Sequence, residues 1–174
     1  TNPAANYSLE VKPWEAAGYS QVKLEFDNLI VNAGVRFDYF EPDFVVPIDL
    51  SQFNEAEILD PQSGQMVSNR ADADATFQIS PRLGVAFPIS ETGVMRFSAG
   101  LFFQTPQLNL LYTNNEFDRP QGASSYTIGN ANLEPERTLH FEVGLQQGLS
   151  ESMGMDLTIF SKDIRELSGQ TAVR

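Results

Sequence analysis

The longest regular pattern in this chain lies between Thr76 and Gln104, where apolar and polar residues alternate with a period of two. As far as Phe87 the odd positions are apolar and the even positions are polar or small, and after a short break the same scheme returns. A period of two is typical of a β-strand and excludes an amphipathic helix. The pattern therefore predicts two strands, over residues 76–87 and 94–104, joined by a turn.

Both predicted strands are long. Their length matches the roughly 9–11 residues of a tilted strand that crosses a bilayer better than the 5–6 residues of an average soluble strand. The same alternation predicts four more strands, over residues 19–26, 29–40, 137–147 and 154–162, and leaves Trp14 in a leading loop. The predicted fold class is all-β, an antiparallel meander of about six long strands.

The connections between these strands alternate in length. Those after the first, third and fifth strands are short, and those after the second and fourth span residues 41–75 and 105–136. In a meander, alternate connections lie at the same end of the sheet, so both long loops share one end. Short periplasmic turns and long extracellular loops are the layout of outer-membrane barrels. Aromatic residues near both ends fit the two girdles of such a barrel: Tyr39, Phe40, Phe77, Phe102 and Phe103 toward the loops, and Phe87 and Phe97 toward the turns.

Charge narrows the choice of partners. The 174 residues include 23 acidic and 11 basic residues, for a formal net charge of -12. Nucleic acid is therefore not an expected partner. The chain has no cysteine, which excludes disulfides, thiolate metal sites and cysteine catalysis. It also has no run of 18 apolar residues, so no transmembrane helix is predicted.

Five segments carry a family signal: NLIVNAGVRFDYF, SPRLGVAFPI, MRFSAGLFFQTPQLNLLY, GNANLEPERTLHFEVGLQQGLS and LTIFSKDIREL. They resemble consecutive barrel strands of TonB-dependent outer-membrane receptors, closest to the Oar-like group, whose full-length members carry a carboxypeptidase-regulatory-like domain. The resemblance covers residues 19–167, and the stretch from Asn132 to Thr138 is its most specific part. It implies a 22-stranded barrel closed by an N-terminal plug, with uptake driven through TonB.

Several parts of such a receptor are not found in this sequence: a plug, a TonB box, a regulatory-like domain and a C-terminal aromatic residue. Six strands cannot close a barrel of that size. We therefore expect an interior barrel segment in the outer membrane of a Gram-negative bacterium. Its expected partners are outer-membrane lipid, the rest of its own barrel and plug, TonB through the missing N-terminal part, and an extracellular substrate whose identity the sequence does not give.

The polar positions of the predicted strands supply candidate residues that face the lumen. They are Asn32, Arg36, Asp38, Gln78, Arg82, Arg96, His140, Glu142 and Gln146. The charged members are expected to pair with each other or with a plug, because charges beside low-dielectric walls need partners. His140 is the only histidine and has no nucleophile motif beside it, so neither an enzyme activity nor a cofactor is predicted.

The long loops supply candidate recognition residues, because loops on a rigid scaffold commonly carry binding and aromatic rings supply contact area. These candidates are Phe44, Phe53, Tyr112, Phe117 and Tyr126. The acidic pairs Asp72 with Asp74 and Glu55 with Glu57 suggest calcium only weakly, because they lack the ordered spacing and glycine of a calcium loop. Pro81 predicts a bulge near the loop end of its strand.

A second function class remains open at this stage. A secreted or cell-surface β-sandwich could bind glycan or protein through the two acidic loops. The two classes differ in what covers the odd-numbered face of the strands. In a sandwich that face packs on a second sheet, and in a barrel it meets lipid.

Overall fold

The computed structural model describes residues 11–114, 117 and 127–169. Its elements in chain order are β1 (Trp14–Phe26), β2 (Leu29–Glu41), β3 (Val45–Pro47), a 3-10 helix (Leu50–Gln52), β4 (Glu57–Leu59), β5 (Met66–Ser68), β6 (Arg70–Asp72), β7 (Thr76–Ser90), β8 (Gly93–Gln104), the helix α1 (Leu108–Tyr112), β9 (Glu136–Ser150) and β10 (Met153–Arg165).

The six long strands form a single sheet in the order β1-β2-β7-β8-β9-β10. Each strand pairs antiparallel with its neighbours. The predicted meander of about six strands is confirmed. The remaining strands form two short pairs within the first long loop, β3 with β6 and β4 with β5.

The pairing register sorts the side chains onto two faces. Leu83 lies opposite Ala33 and Ala99, and Val143 lies opposite Phe97 and Ile159, so odd positions meet odd positions across five strands. The β1–β2 turn changes the parity, because Val22 of β1 pairs with Ala33. One side of the sheet carries the even positions of β1 and the odd positions of β2, β7, β8, β9 and β10, and we call it the apolar face. We call the opposite side the polar face.

Large hydrophobic side chains on the apolar face are exposed. Phe77 is 59% exposed, Phe141 51% and Ile159 68%. All six long strands described by the structure lie in one sheet, and no second long sheet is available to cover these residues. A soluble protein rarely leaves so much contiguous apolar surface uncovered.

The two outer strands of the sheet have free edges. Every residue of β1 and of β10 is exposed, although each strand is 13 residues long. A free edge of this length presents a row of unpaired N–H and C=O groups that can template pairing with another strand. The sheet can therefore be extended on both sides.

The strands extend further than their alternation predicts. Trp14, predicted to lie in a loop, opens β1 and packs edge-on against Tyr39 with ring centroids 5.0 Å apart. Pro88, predicted to begin a turn, lies inside β7, and the register shifts between Pro88 and Ser90. Proline is tolerated there because a bulge does not require its missing N–H.

Pro81 does not form the predicted bulge. It lies directly opposite Val35, and the β2–β7 register is continuous on both sides of it. On its other side the β7–β8 ladder begins only at Arg82 opposite Gly100. Proline has no N–H to donate. At position 81 this costs no ladder hydrogen bond to β8, because the pairing of β7 with β8 does not include that residue.

Candidate functional site

The polar face brings the nine predicted lumen-facing residues onto one side of the sheet. Register places Asn32, Arg36 and Asp38 on β2, Gln78 and Arg82 on β7, Arg96 on β8, and His140, Glu142 and Gln146 on β9. These side chains are spread over six heights along the strands, so they form a wall rather than one cluster. The face can serve as the lining of a passage, and it shows no catalytic arrangement among the described residues.

Two of the three polar-face arginines hold an aspartate. Arg36 donates to Asp38 on the same strand, with Nη2 2.7 Å from Oδ1. Arg96 reaches across β9 to Asp156 on β10, with Nη2 2.9 Å from both carboxylate oxygens. Gly144 makes this reach possible, because a Cβ at that position would lie 3.1 Å from the Arg96 Nε. The sequence did not reveal Asp156 as a partner, since it lies 60 residues away from Arg96.

The third polar-face arginine makes a cation–π contact instead of an ion pair. The Arg82 guanidinium carbon lies 4.5 Å from the centroid of Phe102 on β8. Further rings and a lysine continue across the sheet. Phe102 lies 6.2 Å from His140, His140 lies 6.2 Å from Phe160, and the Lys162 Nζ lies 5.7 Å from the Phe160 ring. We call these five residues the cation–aromatic row.

Phe102 belongs to this row and not to the predicted outer girdle. Its even position puts it on the polar face, as does that of Phe40, which pairs with Thr76. On the apolar face, stacked rings occur near both ends of the strands: Phe37 with Phe77 at 6.2 Å, and Phe87 with Phe97 at 6.0 Å. The apolar face therefore still carries aromatic rings near both ends of its strands, as predicted, without Phe40 and Phe102.

The two long loops are folded onto each other. The Tyr112 hydroxyl donates to the carbonyl of Pro42 at 2.7 Å, and the Tyr112 ring packs edge-on against Phe44 at 5.4 Å. Phe117 lies 6.0 Å from Phe44 and carries the Arg70 guanidinium over its ring at 4.5 Å. Burial, followed by the nearby Asp43 charge, raises the pKa of Tyr112. These contacts join residues of the first loop to residues of the second.

This packing changes the interpretation of the loop aromatics. Phe53, Tyr112 and Phe117 are 5%, 3% and 5% exposed, and they are part of the loop core rather than rings presented to solvent. Phe44 is half-buried against two of them. Tyr126 lies outside the described residues. In this arrangement the three buried rings cannot make first contact with a substrate.

One buried amide organises the first loop. Asn69 has no exposed surface, and its Nδ2 donates to the carbonyls of Asp49, Gln52 and Glu55 at 3.3, 2.8 and 3.3 Å. Its Oδ1 accepts from the Asp49 N–H at 2.7 Å. The Ser51 hydroxyl, then the Gln52 side chain, lower the pKa of the Asp49 carboxyl. Nothing in the local sequence singled out Asn69, because asparagine in a loop is most often solvated.

Apolar side chains exposed on the loops were also missed. Ile48, Leu59, Met66 and Leu108 are each more than half exposed. Leu59 and Met66 are paired across the β4–β5 hairpin. A β-hairpin whose strands are only three residues long gives too weak an alternation to be recognised from sequence.

The weak calcium hypothesis gains no support from the geometry. Asp72 pairs with Val45 in the β3–β6 ladder, and the Asp74 N–H donates to the Asn132 side chain at 2.8 Å. Among the described residues, no three histidine, aspartate or glutamate side chains come together as a metal site.

The part of the chain that the structure describes has no helix long and apolar enough to cross a membrane.

Comparison with known proteins identifies the family. A search of curated proteins finds no match. A family model described as "TonB dependent receptor-like, beta-barrel" matches residues 1–173, nearly the whole chain. Members of that family are outer-membrane transporters and receptors of Gram-negative bacteria and are not enzymes. The single antiparallel sheet, its exposed apolar face and this match agree, and the chain belongs to the TonB-dependent receptor β-barrel family.

Proposed function

We propose that the chain forms part of the wall of a TonB-dependent transporter and takes part in substrate uptake across the outer membrane. In this arrangement the apolar face contacts lipid and the polar face lines the interior. The two free edges, on β1 and β10, pair with further strands of the same barrel.

The observation that carries this proposal is the two-faced sheet. Its apolar face leaves Phe77, Phe141 and Ile159 more than half exposed, while the opposite face collects arginine, aspartate, histidine and glutamate side chains. Alternation of this kind is what a membrane barrel with a wet interior requires. The rival, a β-sandwich that binds through its acidic loops, needs a second sheet over the apolar face, and the described residues supply only two pairs of three-residue strands.

The orientation follows from the connections. The turns β1–β2, β7–β8 and β9–β10 are each two residues long, and the long loops lie at the other end. Barrels of this type carry short turns on the periplasmic side and long loops outside the cell. We place the folded loop unit on the extracellular side, where it meets substrate first through Ile48, Leu59, Met66 and Leu108.

The finer assignments rest on the resemblance of the sequence to receptors of the Oar-like group. They are a complete barrel of 22 strands, membership of the Oar-like group, and a plug with TonB-driven uptake supplied by other parts of the protein.

Site-directed labelling tests the assignment of the two faces. Single cysteines at positions 83 to 86 of the receptor that contains this chain are labelled with a fluorescent dye in native membranes. A lipid-soluble quencher is expected to reach the dyes at 83 and 85, and to miss those at 84 and 86. Equal quenching at all four positions, or quenching only at the even positions, would refute the proposal.

A further inference from the structure

Among the residues that the structure describes, two strand cations of the polar face have no carboxylate partner, and both belong to the cation–aromatic row. Lys23, Arg36 and Arg96 each form an ion pair with an acidic residue, whereas Arg82 and Lys162 only cover phenyl rings. In a chain with 23 acidic and 11 basic residues, a cation without an acidic partner is unexpected. The two unpaired cations stand at opposite ends of one row.

The position of the Arg82 guanidinium over a phenyl ring favours binding of an anion. The Arg82 guanidinium carbon lies over the Phe102 ring, and among the described residues its N–H groups have no hydrogen-bond or ion-pair partner. Those donors match a carboxylate in a bidentate geometry. Restraint of the plane by the ring reduces the entropy that the side chain loses when it binds.

Space for a ligand exists beside Arg82. A hollow of about 600 Å³ on the sheet includes Arg82, Phe102 and His140 in its lining. Gly34 and Gly100 lie directly opposite Arg82 on the two neighbouring strands. No side chain rises from either position, although the Phe102 ring leans over Gly100, where an added Cβ would meet it at 2.9 Å.

The two ends of the cation–aromatic row differ in their surroundings. Arg82, His140 and Lys162 lie at one height across β7, β9 and β10, so the row spans three strand spacings, or roughly 14 Å. Glu142 lies on the same face, diagonally adjacent to Lys162. Its negative charge disfavours an anion at the lysine end, and the carboxylate therefore belongs at Arg82, with rings available to an adjoining flat, apolar group.

We propose that the cation–aromatic row is a binding site for a small organic anion, with the carboxylate on Arg82 and a flat body against Phe102 and His140. This inference rests on the proposed function, because a solute reaches the row only if the polar face borders a wet interior. It deepens that function by naming the chemical class of a solute that the passage accepts.

Arginine side-chain NMR can test the proposal. The receptor that contains this chain is prepared in detergent micelles with ¹⁵N-labelled arginine, and the Arg82 Nε–H signal is identified by its loss in Arg82→Gln. Titration with sodium benzoate is expected to move that signal and saturate. Benzamide, which has the same ring without the charge, is expected to leave it in place. Arg137, exposed on the apolar face of β9, is the internal reference and should not respond.

A second variant tests the role of the ring. Phe102→Leu keeps the charge and removes the stacking partner, so benzoate is expected to bind roughly two- to fivefold more weakly. An equal response to benzoate and benzamide, a response shared by Arg137, or no response at Arg82 would each overturn the proposal. Failure of this test with a positive labelling result would remove the anion site and leave the transporter assignment intact.

Discussion

The replacement of Asn69 by alanine tests whether one buried amide holds the first loop together. The substitution removes the donor to the Gln52 carbonyl at 2.8 Å and the acceptor for the Asp49 N–H at 2.7 Å, along with two longer contacts. A buried group left without its partner costs about 1–3 kcal/mol. The Gln52 carbonyl and the Asp49 N–H each lose their partner, so we expect about 2–3 kcal/mol for the two short bonds together.

Hydrogen exchange measures this loss where it occurs. A destabilisation of that size corresponds to roughly 30- to 140-fold faster exchange of protected amides in residues 41–75, at about 1.4 kcal/mol per factor of ten. The amide of Asp49 should change most, and peptides from β7 should not change. Asn54→Ala is the matched control, because its side chain makes only an exposed hydrogen bond to Glu55 at 3.3 Å. We expect the control to change exchange by less than about threefold.

An isosteric variant separates the loss of hydrogen bonds from the loss of volume. Asn69→Asp keeps the shape of the side chain, but it turns a carboxylate oxygen toward carbonyl groups that now receive an N–H. The loop should be at least as unstable as in Asn69→Ala. If Asn69→Ala exchanges no faster than Asn54→Ala, or if Asn69→Asp behaves as the parent, the hydrogen bonds of Asn69 do not organise the loop.

Three further predictions concern the wall and the loops. Val85→Arg places a charge on the apolar face and should reduce the stability of the folded barrel by roughly 2–4 kcal/mol, whereas Ala86→Ser on the polar face should change it little. Urea unfolding in lipid vesicles measures both variants, and equal effects would contradict the face assignment. Tyr112→Phe leaves the buried Pro42 carbonyl without its donor and should cost the loop unit about 1–3 kcal/mol, seen as faster proteolysis of the loops while the sheet stays folded. The pKa of Asp60 is lowered from its ordinary value of 3.8, chiefly by the hydroxyl of the serine three residues later. Its contribution to the turn is therefore complete above pH 3.8 and is lost as the pH falls through the lower folded value; NMR signals of the turn that stay unchanged down to pH 2 would count against it.

The strands and their order are predictable from the alternation of apolar and polar residues along the chain. Period-two alternation is a local property of the chain, because successive side chains of a strand point to opposite faces. The six long strands, the two faces and the alternation of short turns with long loops could be predicted from that rule alone. The ends of the strands were less accessible: Trp14 and Pro88 are residue types common in loops, and only pairing with a neighbour makes them part of β1 and β7.

Which side chains come into contact depends on the pairing of strands and the packing of loops that are distant in the chain. Arg82 and Arg96 have the same local pattern, yet Arg96 binds an aspartate 60 residues away and Arg82 covers a phenyl ring, because the neighbour of each depends on the register between strands. The loop interior depends on contacts that are more distant still, such as the bond between Tyr112 and Pro42 across 70 residues. Aromatic rings in a polar loop can be exposed for recognition or buried as a core, and only long-range packing distinguishes the two. Local chemistry therefore determines the wall, and tertiary contacts determine where on that wall, and on the loops above it, a ligand can bind.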